Sequence, residues 1–140
     1  MHTLRPTPIL RALAGLALMA GAAAAAAHDD GAAETVRPLM RQALADVPGR
    51  QVTLLTVTYE PGQSSSPHLH PGSVLAYVLE GSVESQLAGE PLRTYTQGQF
   101  WYEGPRAHHL VSRNASRTAP AKLVVWLLGG ENEAVKQPLP

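Results

Sequence analysis

The chain has 140 residues, no cysteine, and equal counts of basic and acidic side chains, 11 Lys+Arg against 11 Asp+Glu. That length argues for one domain, the missing cysteines exclude disulfide stapling, and the even charge argues against a nucleic-acid partner. Residues 1–27 read as an export signal. Arg5 and Arg11 give a positive start, residues 13–20 an apolar centre, and residues 21–27 a small-residue stretch ending in Ala-Ala-Ala. The apolar stretch is short for a membrane span, which needs roughly 20 residues. The expectation is a periplasmic or secreted protein, free of the membrane after cleavage. Without Arg5 and Arg11 nine basic residues face 11 acidic ones, so the remainder is slightly acidic.

Residues 28–50 read as a polar tail followed by a short helix over residues 34–45. Val36, Leu39, Met40, Ala43 and Leu44 fall near a 3.6-residue spacing, and Pro38 suits a first turn. Val47-Pro48-Gly49 breaks the pattern. The stretch 51–129 then changes character. Short β-branched and apolar runs at residues 52–59, 68–70, 74–79, 82–88, 92–96, 100–102, 107–113 and 122–128 alternate with Gly- and Pro-rich turns. Such a series predicts an all-β sandwich or small barrel. Residues 122–128 are apolar on both faces, as for a central or interface strand. Residues 130–140 read as a polar tail.

The chemistry concentrates in histidines. His68 and His70 stand one residue apart after a Gly/Ser/Pro turn. On an extended strand i and i+2 share a face, so both imidazoles can serve one metal ion. A third donor is offered by His108-His109. Being adjacent, only one of these two can point inward.

The spacing resembles the cupin superfamily. Its first motif is Gly, five residues, His-x-His, three or four residues, Glu, six residues, Gly. Gly62, His68, His70 and Gly81 fall on it, while Val74 stands at the Glu position. Its second motif is Gly, five residues, Pro-x-Gly, two residues, His, three residues, Asn. Gly98 and His109 fall on it; Gly104, Arg106 and Arg113 replace the Pro, Gly and Asn, with Asn114 one later. The resemblance covers about residues 52–128. It implies a double-stranded β-helix, a jelly-roll barrel, with His68, His70 and His109 as metal ligands and His108 at the rim. It also implies a homodimer, with residues 123–128 as a plausible contact.

The implied cofactor is one divalent transition metal. Imidazole suits Fe, Mn, Zn, Ni and Cu alike, and a three-histidine set leaves open positions for a small organic ligand or substrate. Three functions follow: a dioxygenase-like enzyme, a non-catalytic metal- or ligand-binding protein, or a degenerate metal-free barrel. Tyr77, Gln86, Phe100, Trp101 and Tyr102 are candidate pocket residues, with two of the three consecutive aromatics expected in the core and Tyr77 facing away. Glu103 reads as a solvated rim acid. Arg106 could meet an anionic substrate. Arg113 shares the parity of His109 but reads as a surface residue. An N-terminal His28 chelating copper through its amine is a remote option. Asn114-Ala-Ser116 matches a glycosylation sequon and is read as a chance match.

Overall fold

The structure, a computed structural model, describes residues 33–140. The expected signal over residues 1–27 and His28 lie outside the described residues. Eleven strands follow one another: β1 (Thr35–Ala43), β2 (Arg50–Tyr59), β3 (Ser64–Ser65), β4 (His68–Leu69), β5 (Ser73–Glu80), β6 (Ser82–Leu87), β7 (Arg93–Thr96), β8 (Phe100–Glu103), β9 (His108–Asn114), β10 (Ala121–Gly130) and β11 (Gln137–Pro138). They form two antiparallel sheets. The first has the order β1-β2-β10-β5-β8; the second has β11-β4-β9-β6-β7, with β3 also on β9. This is the jelly-roll barrel that the cupin resemblance implied; the short, evenly spaced strands alone predicted an all-β sandwich or small barrel.

Strict alternation places the core. On β5, Val74, Ala76 and Val78 face inward; on β10, Ala121, Leu123, Val125 and Leu127 do. They pack with Leu55, Tyr59, Val83 and Trp101 into one cluster. Burying a valine fully, as at Val74, Val78 and Val83, contributes about 1.5–3 kcal/mol each. β10 is central, flanked by β2 and β5; its inner face is buried, and Val124 and Trp126 on its outer face are half-buried.

Two expectations about the ends are corrected. Residues 34–45 form no helix: Thr35–Ala43 is a strand paired along its length with β2. The 3.6-residue spacing lost to pairing, because β2 would otherwise present an open edge of unpaired backbone groups. Pro38 fits there since the register shifts between Pro38 and Met40, and an edge strand tolerates proline at such an irregularity. At the other end residues 130–140 are not merely a tail. β11 pairs with β4, setting Pro138 against His68.

A bulge on β9 bears directly on the site. Gln86 pairs with Val111 but Leu87 with His109, so Leu110 is an extra residue. The inward positions therefore run His109, Ser112, Asn114, and Arg113 points outward to Glu84. Arg113 and His109 do not share a face, contrary to the parity expected from their spacing. The bulge also accounts for the asparagine standing one place late.

Arg106 occupies a left-handed backbone conformation, φ 60°, where the expected motif carries glycine. That geometry costs an L-residue roughly 1–2 kcal/mol. Part of this returns in the entropy that a glycine restores to the unfolded chain. Arg106→Gly is expected to stabilise the protein by about 1 kcal/mol in urea unfolding. A loss of stability would show that the arginine side chain carries something the backbone cost conceals.

Candidate metal centre

His68 and His109 come from two neighbouring strands, and His70 directly follows the first of them. His68 on β4 is the register partner of His109 on β9, so their side chains stand on the same face. Their ring centroids are 5.0 Å apart, and those of His68 and His70 are 4.9 Å apart. His68 and His109 are buried. His108 is exposed, at the rim as expected.

Each ring is held from behind. His68 Nδ1 lies 2.8 Å from the Ser66 carbonyl, and His70 Nδ1 bonds the Val135 carbonyl. A carbonyl only accepts, so both rings carry their proton on Nδ1 and leave a lone pair on Nε2. His109 Nε2 is bonded to Ser85 Oγ at 2.8 Å. Its Nδ1 is buried without a partner. Burial pushes the His68 pKa down to about 4, against the raising effect of the Ser66 carbonyl. It lowers that of His70 as well, more than the Val135 carbonyl and Glu103 raise it. Both rings are therefore neutral at pH 7, the form that binds a metal.

Glu103 is the residue the sequence reading misplaced. It is 2% exposed, facing the histidines from β8 across the space between the sheets. Its Oε1 accepts from Trp101 Nε1 at 2.9 Å and lies 3.2 Å from His109 Nδ1, off the line a hydrogen bond needs. Oε2 has no partner and stands 4.0 Å from His70 Nε2. Burial alone would raise its pKa; His109, His70 and the Trp101 N–H outweigh that and hold it below the usual carboxylate value. A signal was available: Glu103 has the parity of Trp101, so an inward Trp101 implies an inward Glu103.

The other candidates divide cleanly. Of the three aromatics only Trp101 is buried, while Phe100 and Tyr102 are 63% and 58% exposed. Tyr77 faces outward, as expected. Gln86 bonds the Glu90 carbonyl, and its neighbour Ser85 takes the inward place. Neither Gln86 nor Arg106 lines the cavity beside the histidines. That cavity, about 80 Å³, runs between the sheets. Val74, Ala76, Leu123 and Val125 wall it, Tyr59 with Ser65 and Ser112 forms one polar flank, and the Glu34–Lys136 ion pair also lines it.

A cupin-domain family model matches residues 55–127. The chain belongs to the cupin family. No curated protein matches it. Among solved structures it is similar to the DMSP lyase DddQ from Ruegeria pomeroyi, with 18% identity and a TM-score of 0.62 over 76% of this chain and 51% of that one. It is similar to TT1209 from Thermus thermophilus, with 28% identity and a TM-score of 0.55 over 68% and 82%. It is also similar to an oxalate oxidase solved with the substrate analogue glycolate, with 21% identity and a TM-score of 0.56 over 76% and 61%. The chain spans about half the length of the DMSP lyases it matches.

The family implies a metal, and this cupin's residues fit one. Among the described residues no three His, Cys, Asp or Glu side chains are arranged so that they could hold a metal ion as they stand. The donors are nevertheless adjacent, and their chemistry is right. Three imidazoles, each oriented by a hydrogen bond on its outer nitrogen, are the usual supporting pattern of metal-ligating histidines. A buried nitrogen with no partner, at His109, is costly unless something absent from the protein itself satisfies it.

Proposed function

We propose that this cupin is exported, holds one divalent transition metal on His68, His70 and His109, and acts on a small organic molecule as a dioxygenase-like enzyme. The observation that carries this reading is the trio of imidazoles tied from outside, with His109 Nδ1 buried and unpartnered. The metal would supply a Lewis-acid centre with open positions for a ligand. The chain's own residues do the rest. Val74 and the apolar walls exclude water, which strengthens every electrostatic contact inside. Tyr59, its hydroxyl pKa raised by burial, stays protonated and able to donate a hydrogen bond. The cavity is about half the size of one that holds benzene, so the substrate is compact.

The buried Glu103 places an acid beside the histidines, which supports a catalytic over a purely binding role. The lyase and oxidase among the similar structures support enzymatic use of the fold. Protein purified from the exported fraction without chelator or affinity metal is expected to carry about one equivalent of a divalent metal. His68→Ala/His109→Ala should carry none, and mass spectrometry of the N-terminus should find the signal removed. Absence of metal from the wild type, with no uptake on reconstitution, would sink the metal reading. Metal-replete protein that consumes none of a panel of small oxygenated acids under O₂ would return the choice to a binding role.

The homodimer belongs to the same reading, supported by the outer face of the first sheet. Cross-strand pairing aligns Met40, Leu54, Trp126, Leu75 and Tyr102 in one row, and Val124, Tyr77 and Phe100 in the next. Met40, Leu75, Tyr77, Phe100 and Tyr102 are all at least 40% exposed. A contiguous apolar face of this kind marks an interaction surface. Light scattering after size exclusion should give a dimer for the wild type and a monomer for Leu75→Glu; a wild-type monomer at every concentration refutes it.

A further inference from the structure

Two acceptors face each other between the sheets with nothing to reconcile them. His70 donates its Nδ1 proton to the Val135 carbonyl, so Nε2 presents a lone pair. Opposite it, 4.0 Å away, is Glu103 Oε2, buried and without any hydrogen-bond partner. His109 Nδ1 is the other buried atom lacking a partner, and it lies 3.2 Å from the same carboxylate. Leaving a buried charged oxygen unpaired is among the costliest arrangements in a protein interior. The chain has nonetheless oriented this carboxylate, since Trp101 Nε1 donates to Oε1 and turns Oε2 toward the rings. A divalent ion binds nitrogen or oxygen donors at about 2.0–2.2 Å, so two donors of one ion can lie up to about 4 Å apart.

We propose that Glu103 is the fourth protein ligand of the ion held by His68, His70 and His109, bonding through Oε2 while Trp101 positions the carboxylate through Oε1. The proposal rests on the three-histidine reading above and adds to it the ligand that the spacing 68–75 lacks. The register shows how the donor moved. Val74 on β5 is the direct cross-strand partner of Glu103 on β8, and both side chains face the cavity. Neighbouring strands lie about 4.8 Å apart, and a glutamate side chain spans that offset. The carboxylate therefore reaches the same region from the next strand. It brings the net charge of the site to +1 and joins the two sheets through the ion, since His68 and His109 belong to the second sheet and Glu103 to the first.

Cobalt(II) titration of the full-length exported protein, read by visible absorption, tests this. Glu103→Gln should weaken Co(II) binding by more than about 100-fold, beyond the 10–100-fold typical of groups that only support a ligand. The band should also shift, because a charged carboxylate donor gives way to a weaker, neutral amide. Moving the carboxylate back, in Glu103→Val with Val74→Glu, should recover most of the affinity. Glu103→Gln binding Co(II) as tightly as the wild type, while His68→Ala/His109→Ala binds none, overturns the role of Glu103 and leaves the histidine site standing. Wild type that takes up no Co(II) overturns both. Should the variants fail to fold, a Co(II)-loaded wild-type crystal decides by anomalous scattering. Cobalt within bonding distance of Oε2 supports the assignment, and cobalt on the imidazoles with Oε2 out of reach overturns it.

Discussion

Gly72→Ala is expected to destabilise the protein by about 3 kcal/mol, the upper end of what overpacking costs. A Cβ built at Gly72 falls on the carbonyl oxygen of Leu128, with the Leu128 carbonyl carbon and Gly129 Cα close behind. All three obstacles are backbone, so no side chain can swing aside. Relief requires β5 to part from β10 at the pairs Leu127 to Val74 and Leu128 to Ser73. Those pairs anchor the start of the strand that carries Val74, and Gly72 stands two residues after His70. Stability and metal affinity should therefore fall together. The midpoint of urea denaturation and a Co(II) titration measure the two effects. A variant within about 0.5 kcal/mol of the wild type, the range of an ordinary surface change, would mean that β10 is freer to move than its central place suggests.

Asn114→Ala is expected to cost a similar amount, about 3 kcal/mol, for a different reason. The Asn114 amide nitrogen donates to the carbonyls of Tyr59, Glu60 and Ala119 at 3.1, 3.2 and 2.8 Å, and its oxygen accepts from Ser116 N–H at 2.8 Å. One 6% exposed side chain thus ties the end of β2 to the loop before β10. Removing it strands several backbone groups at once, and each unsatisfied buried group costs about 1–3 kcal/mol. Asn114→Asp should not rescue the loss, because a carboxylate cannot donate to three carbonyls. Equilibrium urea unfolding gives the comparison; a rescue by aspartate would mean the loop is wetter than it stands here. The same burial bears on the sequon: a glycan on Asn114 would have to displace a side chain that four backbone groups use.

The all-β class, its strands and the His68–His70 pair were legible because they depend on local chemistry; the jelly roll and the choice of His109 came from the cupin resemblance. Alternation with period two reports which side chains a sheet buries, glycines and prolines report its turns, and His68 with His70 is a pair set by the strand's own geometry. Legibility stopped where a choice depended on a distant partner. The 3.6-residue pattern over residues 34–45 is compatible with a helix, and only the open edge of β2 makes it a strand. The parity of Arg113 was misjudged because a bulge at Leu110 depends on how β9 meets β6. Val135 gave no sign of touching His70, since that contact spans 65 residues and needs β11 to pair with β4.

By itself, then, the order of residues determined an all-β chain with His68 and His70 paired on one face, because strand alternation and turn chemistry act within a few residues. Only the tertiary structure decided that Glu103 is buried beside that cluster. Seen along the chain it is an acid before a Gly-Pro turn, and solvent is its natural place. It faces inward because β8 pairs with β5 in the register that sets it against Val74, and because Trp101, two residues earlier on the same face, carries it into the core. Strand register is a property of two distant segments at once, and no local pattern contains it.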